Sequence, residues 1–195
     1  MPFSLLPSLL SLILAVGYTP GPANIYAFGC AMEYGWKAAF RMWTGMLAGF
    51  TTAVLAMAVL THLIGGLLGS YVVYIKYIGA AYILYLAWKL FSDFASENPS
   101  GSSCTFMSGF LVQLTNVKIL LFDLTAFSTF VLPYSSSFSD LLKVSALLEL
   151  AGPGANLVWI LLGSWMSRFF KRNRKVAGTI LSLCLAACSV MICLA

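Results

Sequence analysis

Charge is what this sequence has least of. Only 9% of its 195 residues are Asp, Glu, Lys or Arg, against about a quarter in an ordinary soluble domain. That shortage excludes a water-covered surface wrapped around one core. It leaves a chain that is 61% hydrophobic, with a mean hydropathy of +0.92. Histidine is nearly missing too, His62 being the single one. A zinc site needs several nitrogen or sulfur ligands in register. One histidine and no CxxC pair do not supply them, so neither a metal nor a cofactor is expected. The five cysteines, Cys30, Cys104, Cys184, Cys188 and Cys193, are odd in number and read as small apolar core residues.

Apolar length is what the chain does have. A spanning helix takes roughly 20 residues, so the pattern predicts an all-α integral membrane protein with six transmembrane helices. The spans are expected at 3–31, 42–63, 72–91, 106–132, 141–165 and 176–194. They form one transporter-sized domain of two three-helix halves, 1–91 and 104–195, joined by the polar linker 92–103. Such halves are expected to be related as an inverted repeat. Six spans nearly exhaust the chain and leave no room for a soluble catalytic domain. The first apolar run has no basic residue ahead of it and is followed by further spans, so it reads as a retained helix.

The net charge of +5 is local: Arg168, Lys171, Arg172, Arg174 and Lys175 crowd one loop, with Phe169 and Phe170 between them. Beside membrane spans this is a cytoplasmic loop against anionic headgroups, and no nucleic-acid partner is expected. The connections holding Lys37, Arg41, Lys89 and this basic cluster share one side. The positive-inside rule then puts them in the cytoplasm and both termini in the periplasm, as for an inner-membrane protein.

The spans are interrupted where polar chemistry gathers. In Gly17-Tyr18-Thr19-Pro20-Gly21-Pro22-Ala23-Asn24 two prolines flank a glycine. Proline lacks an N–H and clashes with the preceding turn, and it pushes the residue before it out of the helical region. A broken span at that depth survives only where protein or a water-filled cavity satisfies the freed backbone. The alternative is a kink with a packing role alone. The fourth span carries Gln113, Thr115, Asn116, Lys118 and Asp123; the fifth carries Glu149, Gly152-Pro153-Gly154 and Asn156. Breaks at corresponding positions of two halves point to a midplane binding site. The Gly-Pro-Ala-Asn of 21–24 echoes Gly-Pro-Gly-Ala-Asn at 152–156, but it joins spans one and five, which a three-span repeat does not predict, so it reads as chance.

Charged groups inside a span face the bundle interior or a cavity, which makes Lys118, Asp123 and Glu149 functional candidates. Asn116 shares a helical face with Asp123, and Glu149 shares one with Asn156. Lys118 lies about 140° from Asp123 around an ideal helix. It is therefore free to receive a substrate carboxylate or an acid of another span, the bland alternative being a structural Lys118–Glu149 ion pair. Gly45 and Gly49 form a small-xxx-small pattern, which serves packing inside one bundle and also permits a homodimer. An intramembrane enzyme is disfavoured. A serine protease would need a histidine inside the bilayer, and His62 stands at a span end; an aspartyl protease would have only Asp123 and Glu149.

Thr19-Pro-Gly-Pro-Ala-Asn24, Gly35 with Lys37, and Gly45 with Gly49 resemble the first half of the LysE/RhtB amino-acid exporters. The segment 79–89 is similar to that family's third span, and Gly109 to Lys118 to its fourth, where most members have Asn-Pro-Lys. Val117 in place of that proline, the run Thr125 to Pro133, and Asn156 with Trp159 resemble the cysteine/O-acetylserine exporter branch. The likeness covers nearly the whole chain. It implies export of small amino acids from the cytoplasm, with protons as the driving partner in an antiport. Cysteine or O-acetylserine are the implied substrates, with homoserine, threonine or another amino acid as alternatives and a passive channel as a further one.

Carried over, Thr19, Pro20, Gly21, Pro22 and Asn24 match the first motif, and Asn116 and Lys118 the second, with Asn156 added from the fifth span. Lys118 or the half-helix beginning at Pro22 would take a zwitterion's carboxylate. Asn24, Asn116, Asn156, carbonyls near Tyr18 and Thr19, or Asp123 would take its ammonium. Asp123 and Glu149, the carboxyls within spans, are the candidates for proton coupling. The family commonly has Asn where Ala23 stands, and these two acids occupy positions where small or apolar residues are expected.

Overall fold

The computed structural model describes residues 2–64, 77, 81, 84–89, 91–92, 94–95, 104–135, 137–170 and 173–194. The described residues are helical, without strands. After a short 3-10 turn at Phe3–Leu5 come α1 (Leu6–Tyr18), α2 (Pro22–Ile64), α3 (Phe106–Leu114), α4 (Val117–Phe130) and α5 (Phe138–Leu148). A π turn at Leu150–Gly154 leads into α6 (Ala155–Phe170), and α7 (Arg174–Leu194) ends the chain. Most of the expected third span and the linker lie outside the described residues.

Among the described residues, two helical stretches are long and apolar enough to cross a membrane, Pro22–Leu63 and Phe138–Ser167. Phe106–Leu114 with Val117–Phe130 makes a third, bent by 50°. Large side chains such as Leu14, Leu63, Trp165 and Leu183 are 60–71% exposed, an outer face suited to lipid and hazardous in water.

The 43 residues of α2 are not one straight rod, because Gly35 sits at φ 78°, ψ 176°. That left-handed conformation costs a glycine least. Phe28 stands against Trp159, Trp43 against Pro153, Thr51 against Glu149 and His62 against Phe138. Contacts along the fifth span thus run forward with the first limb of α2 and backward with the second. The chain reverses at Gly35, inside the polar turn expected at 33–37.

Lipid tails are as apolar as leucine, so close packing holds such a bundle together more than burial from water does. An added Cβ at Gly45 would collide with the Phe106 carbonyl, and one at Gly49 with the Phe110 carbonyl. The small-xxx-small pattern is therefore the seam between α2 and α3 within one chain. Two apolar cores result. One joins α1, the end of α2, α4 and α5 through Ile13, Phe50, Phe127 and Leu148. The other joins the first limb of α2, α6 and α7 through Tyr26, Ile160 and Leu185. Polar breaks gather where the two cores meet.

Candidate functional site

Each break has its own local chemistry. At the first, Thr19 is extended (φ −66°, ψ 148°) because Pro20 follows it, and Pro22 then opens α2 at a position where its missing N–H is not needed. At the second no proline acts, yet the break remains. Thr115 Oγ1 donates to the Leu111 carbonyl at 2.8 Å, the Asn116 N–H turns back to Gln113, and Asn116 adopts φ −75°, ψ 94°. The side chain of Thr115 and the extended Asn116 thus interrupt the helix that Val117 alone would allow to continue. At the third, Pro153 withdraws an N–H, Gly154 N–H reaches Glu149 O at 3.3 Å, and Trp43 Nε1 donates to the Pro153 carbonyl at 2.8 Å.

All three breaks contribute to one cavity of about 10 Å³, room for roughly a single water. Gly21, Asn24, Gln113, Asn116, Lys118 and Asn156 are among the residues around it. Asn24 Nδ2 donates to the carbonyls of Gly17 and Thr19, both at 2.9 Å, satisfying the end of α1. Asn156 Nδ2 donates to Asn24 Oδ1 at 2.7 Å. The Gly-Pro-Ala-Asn echo read as chance therefore marks two side chains that meet; the correction comes from the fold, which sets the third break against the first.

Lys118 Nζ donates to Thr19 Oγ1 at 2.9 Å and to the Thr19 carbonyl at 3.2 Å. Its chain lies over Gly21, where a Cβ would stand 3.2 Å from Nζ. The ammonium thus sits beside the N-termini of two half-helices, α2 and α4. The first N–H groups of a helix lack intrahelical partners and carry partial positive charge, so cation and helix ends form one anion-seeking pole. The Lys118–Glu149 ion pair is not formed. Glu149 Oε1 instead accepts from Thr51 Oγ1 at 2.8 Å, and among the described residues the ion pair is Lys143 with Asp140, on the surface.

Of the sequence-derived candidates, Gly21, Asn24, Asn116, Lys118 and Asn156 line the cavity. Thr19 touches Lys118, while Pro20 and Pro22 shape the break without lining it. Asp123 and Glu149 stand outside. Asp123 is wholly buried, and neither its oxygens nor Glu149 Oε2 has a hydrogen-bond partner among the described residues. Sequence reasoning passed over Gln113 as a lining residue, and Thr51 and Trp43 as long-range donors. Gln113 stands three residues before Asn116, on the same helical side, and that spacing was the available signal.

Three helix breaks converging on one polar cavity, within helices that face lipid, define a helical membrane protein of the transport class. The chain is 37% identical over 180 residues to the cysteine/O-acetylserine efflux protein of Salmonella typhimurium, covering 92% of each. It is 35% identical over 191 residues to the protein of that name in Escherichia coli K12, covering 95% of this chain and 98% of the relative. The chain belongs to this family of efflux proteins, the LysE/RhtB amino-acid exporters; it is not an enzyme. No family model matches the chain, and no solved structure matches it.

Proposed function

We propose that this protein exports small amino acids, foremost cysteine and O-acetylserine, from the cytoplasm across the inner membrane by proton antiport. The observation that carries the reading is Lys118, held beside the N-terminus of α2 at a cavity whose other polar side chains are the carboxamides of Asn24, Gln113, Asn116 and Asn156. An α-amino acid is a zwitterion. Its carboxylate would displace Thr19 from Lys118, and its ammonium would be taken by the free Oδ1 atoms of Asn116 and Asn156. The relatives' names supply the substrate class, which the geometry fits.

A cavity with room for about one water does not hold an amino acid, so in this reading the broken helices part on alternate sides to admit and release it. In this reading the chain is one six-span domain, its halves 1–91 and 104–195 forming an inverted repeat, with both termini in the periplasm. Asp123 and Glu149 would carry the coupling proton. Neither lines the cavity.

The test uses purified protein in liposomes, with labelled cysteine and O-acetylserine on one side and an imposed proton gradient. Gradient-stimulated flux of either, lost in Lys118→Ala, is the expected result. Flux of homoserine or threonine alone would retain the family and discard the substrate. Flux indifferent to the gradient would replace antiport by a passive channel.

A further inference from the structure

One side chain of the cavity has no place in that scheme. Gln113 is 0% exposed, lines the cavity, and has neither Oε1 nor Nε2 hydrogen-bonded among the described residues. A buried amide left unpaired loses its hydration without replacement, and buried polar groups in native proteins nearly always have partners. Turning the amide over changes nothing, since both its ends are unpaired. Gly152 lines the same cavity, and an added Cβ there would stand 2.9 Å from Gln113 Nε2 and would also collide with the Phe50 ring. The end of the amide thus lies at the cavity wall, around the same small space as Asn116 and Asn156.

The zwitterion accounts for Lys118 and for the asparagine acceptors. What is left on the substrate is the side chain, and what is left in the cavity is the Gln113 amide, whose Nε2–H groups can donate. Cysteine and O-acetylserine differ in size but share a heteroatom with lone pairs at the γ position. We infer that Gln113 is the specificity-determining residue of the export site, its Nε2–H donating to the γ sulfur or oxygen of the substrate. The inference rests on the export reading above. Amino acids with a γ heteroatom are selected over aliphatic ones of equal size, because an aliphatic γ carbon leaves the buried amide without a partner.

2-Aminobutyrate is the discriminating probe, having the cysteine skeleton with a methyl group in place of the sulfur. In proteoliposomes the unaltered protein moves cysteine and O-acetylserine about five- to tenfold faster than 2-aminobutyrate at equal sub-saturating concentration, the worth of one hydrogen bond. Gln113→Leu brings that ratio close to one, chiefly by slowing the heteroatom substrates. Gln113→Met, which keeps the length and volume but has no N–H to donate, does the same. It stands as the second variant should the leucine protein fail to reach the membrane. Equal rates for all three compounds in the unaltered protein, or a preference kept in both variants, would overturn the assignment and leave Gln113 as the holder of a structural water only. No flux of any amino acid overturns the export reading itself, so the two failures are distinct.

Discussion

Asn156 donates a 2.7 Å hydrogen bond to Asn24 across 132 residues of chain, and Asn24 in turn holds the carbonyls of Gly17 and Thr19. The pair is a relay in which the fifth span fixes the amide that ties off the first. Asn24→Ala leaves two carbonyls and one amide unmatched, and the expected loss is roughly 2–3 kcal/mol. Asn156→Ala strands only Asn24 Oδ1, with an expected loss of about 1 kcal/mol. Because the two share a bond, the double variant is no less stable than Asn24→Ala by more than a few tenths of a kcal/mol. Thermal unfolding in detergent measures all three, and additive losses would mean that the bond does not couple the spans.

Lys118 and Thr19 give a graded prediction. Lys118→Ala removes the cation and lowers export at least tenfold without lowering the amount of protein in the membrane. Lys118→Arg keeps the charge but not the compact fit over Gly21, and retains partial activity. Thr19→Val loses the 2.9 Å contact to Oγ1 while the carbonyl contact at 3.2 Å remains, so export falls by less than threefold. Initial rates in proteoliposomes order the three variants. A valine variant as inactive as the alanine one would shift the role from cation to hydroxyl.

Buried Asp123 and half-buried Glu149 are tested through coupling. If Asp123 carries the proton, Asp123→Asn abolishes stimulation by a proton gradient and leaves exchange of substrate for substrate intact. Glu149→Gln alters one acceptor while its neighbour Thr51 can still bond the remaining carbonyl, so the expected effect is smaller. Normal, equally gradient-dependent flux in both variants would remove both from the proton path.

Gly45 and Gly49 set the distance between α2 and α3. Gly49→Val drives a branched side chain into the Phe110 carbonyl. Overpacking of this kind costs typically 1–3 kcal/mol, read as a fall in melting temperature together with lower membrane yield. Were the seam a dimer contact instead, the substitution would change the oligomer measured by light scattering and leave the melting temperature unaltered.

What could be read from the chain by itself is what its local chemistry dictates. Proline restricts its own φ and its neighbour's ψ wherever it stands, so the break at 19–22 and the interruption at 152–154 were legible. So was the turn around Gly35, because a glycine amid Glu33, Trp36 and Lys37 stops an apolar run. The polar run 113–118 marked the second break even without the proline that most relatives in the family carry. A span's apolar length and scarcity of charge identified the membrane, since a charge within the hydrocarbon is costly whatever the fold around it.

Only the tertiary structure decided who meets whom. Asn24 with Asn156, Lys118 with Thr19, Thr51 with Glu149 and Trp43 with Pro153 are pairs separated by 98 to 132 residues in sequence, and no local rule ties them. Helix packing chose them through the glycines that set how near two backbones come. The same packing left Gln113 facing the cavity and Asp123 facing away from it, although both are polar residues of one broken span. A helix's sequence fixes the angle between its side chains, but the direction in which any of them points is settled by the neighbours it packs against.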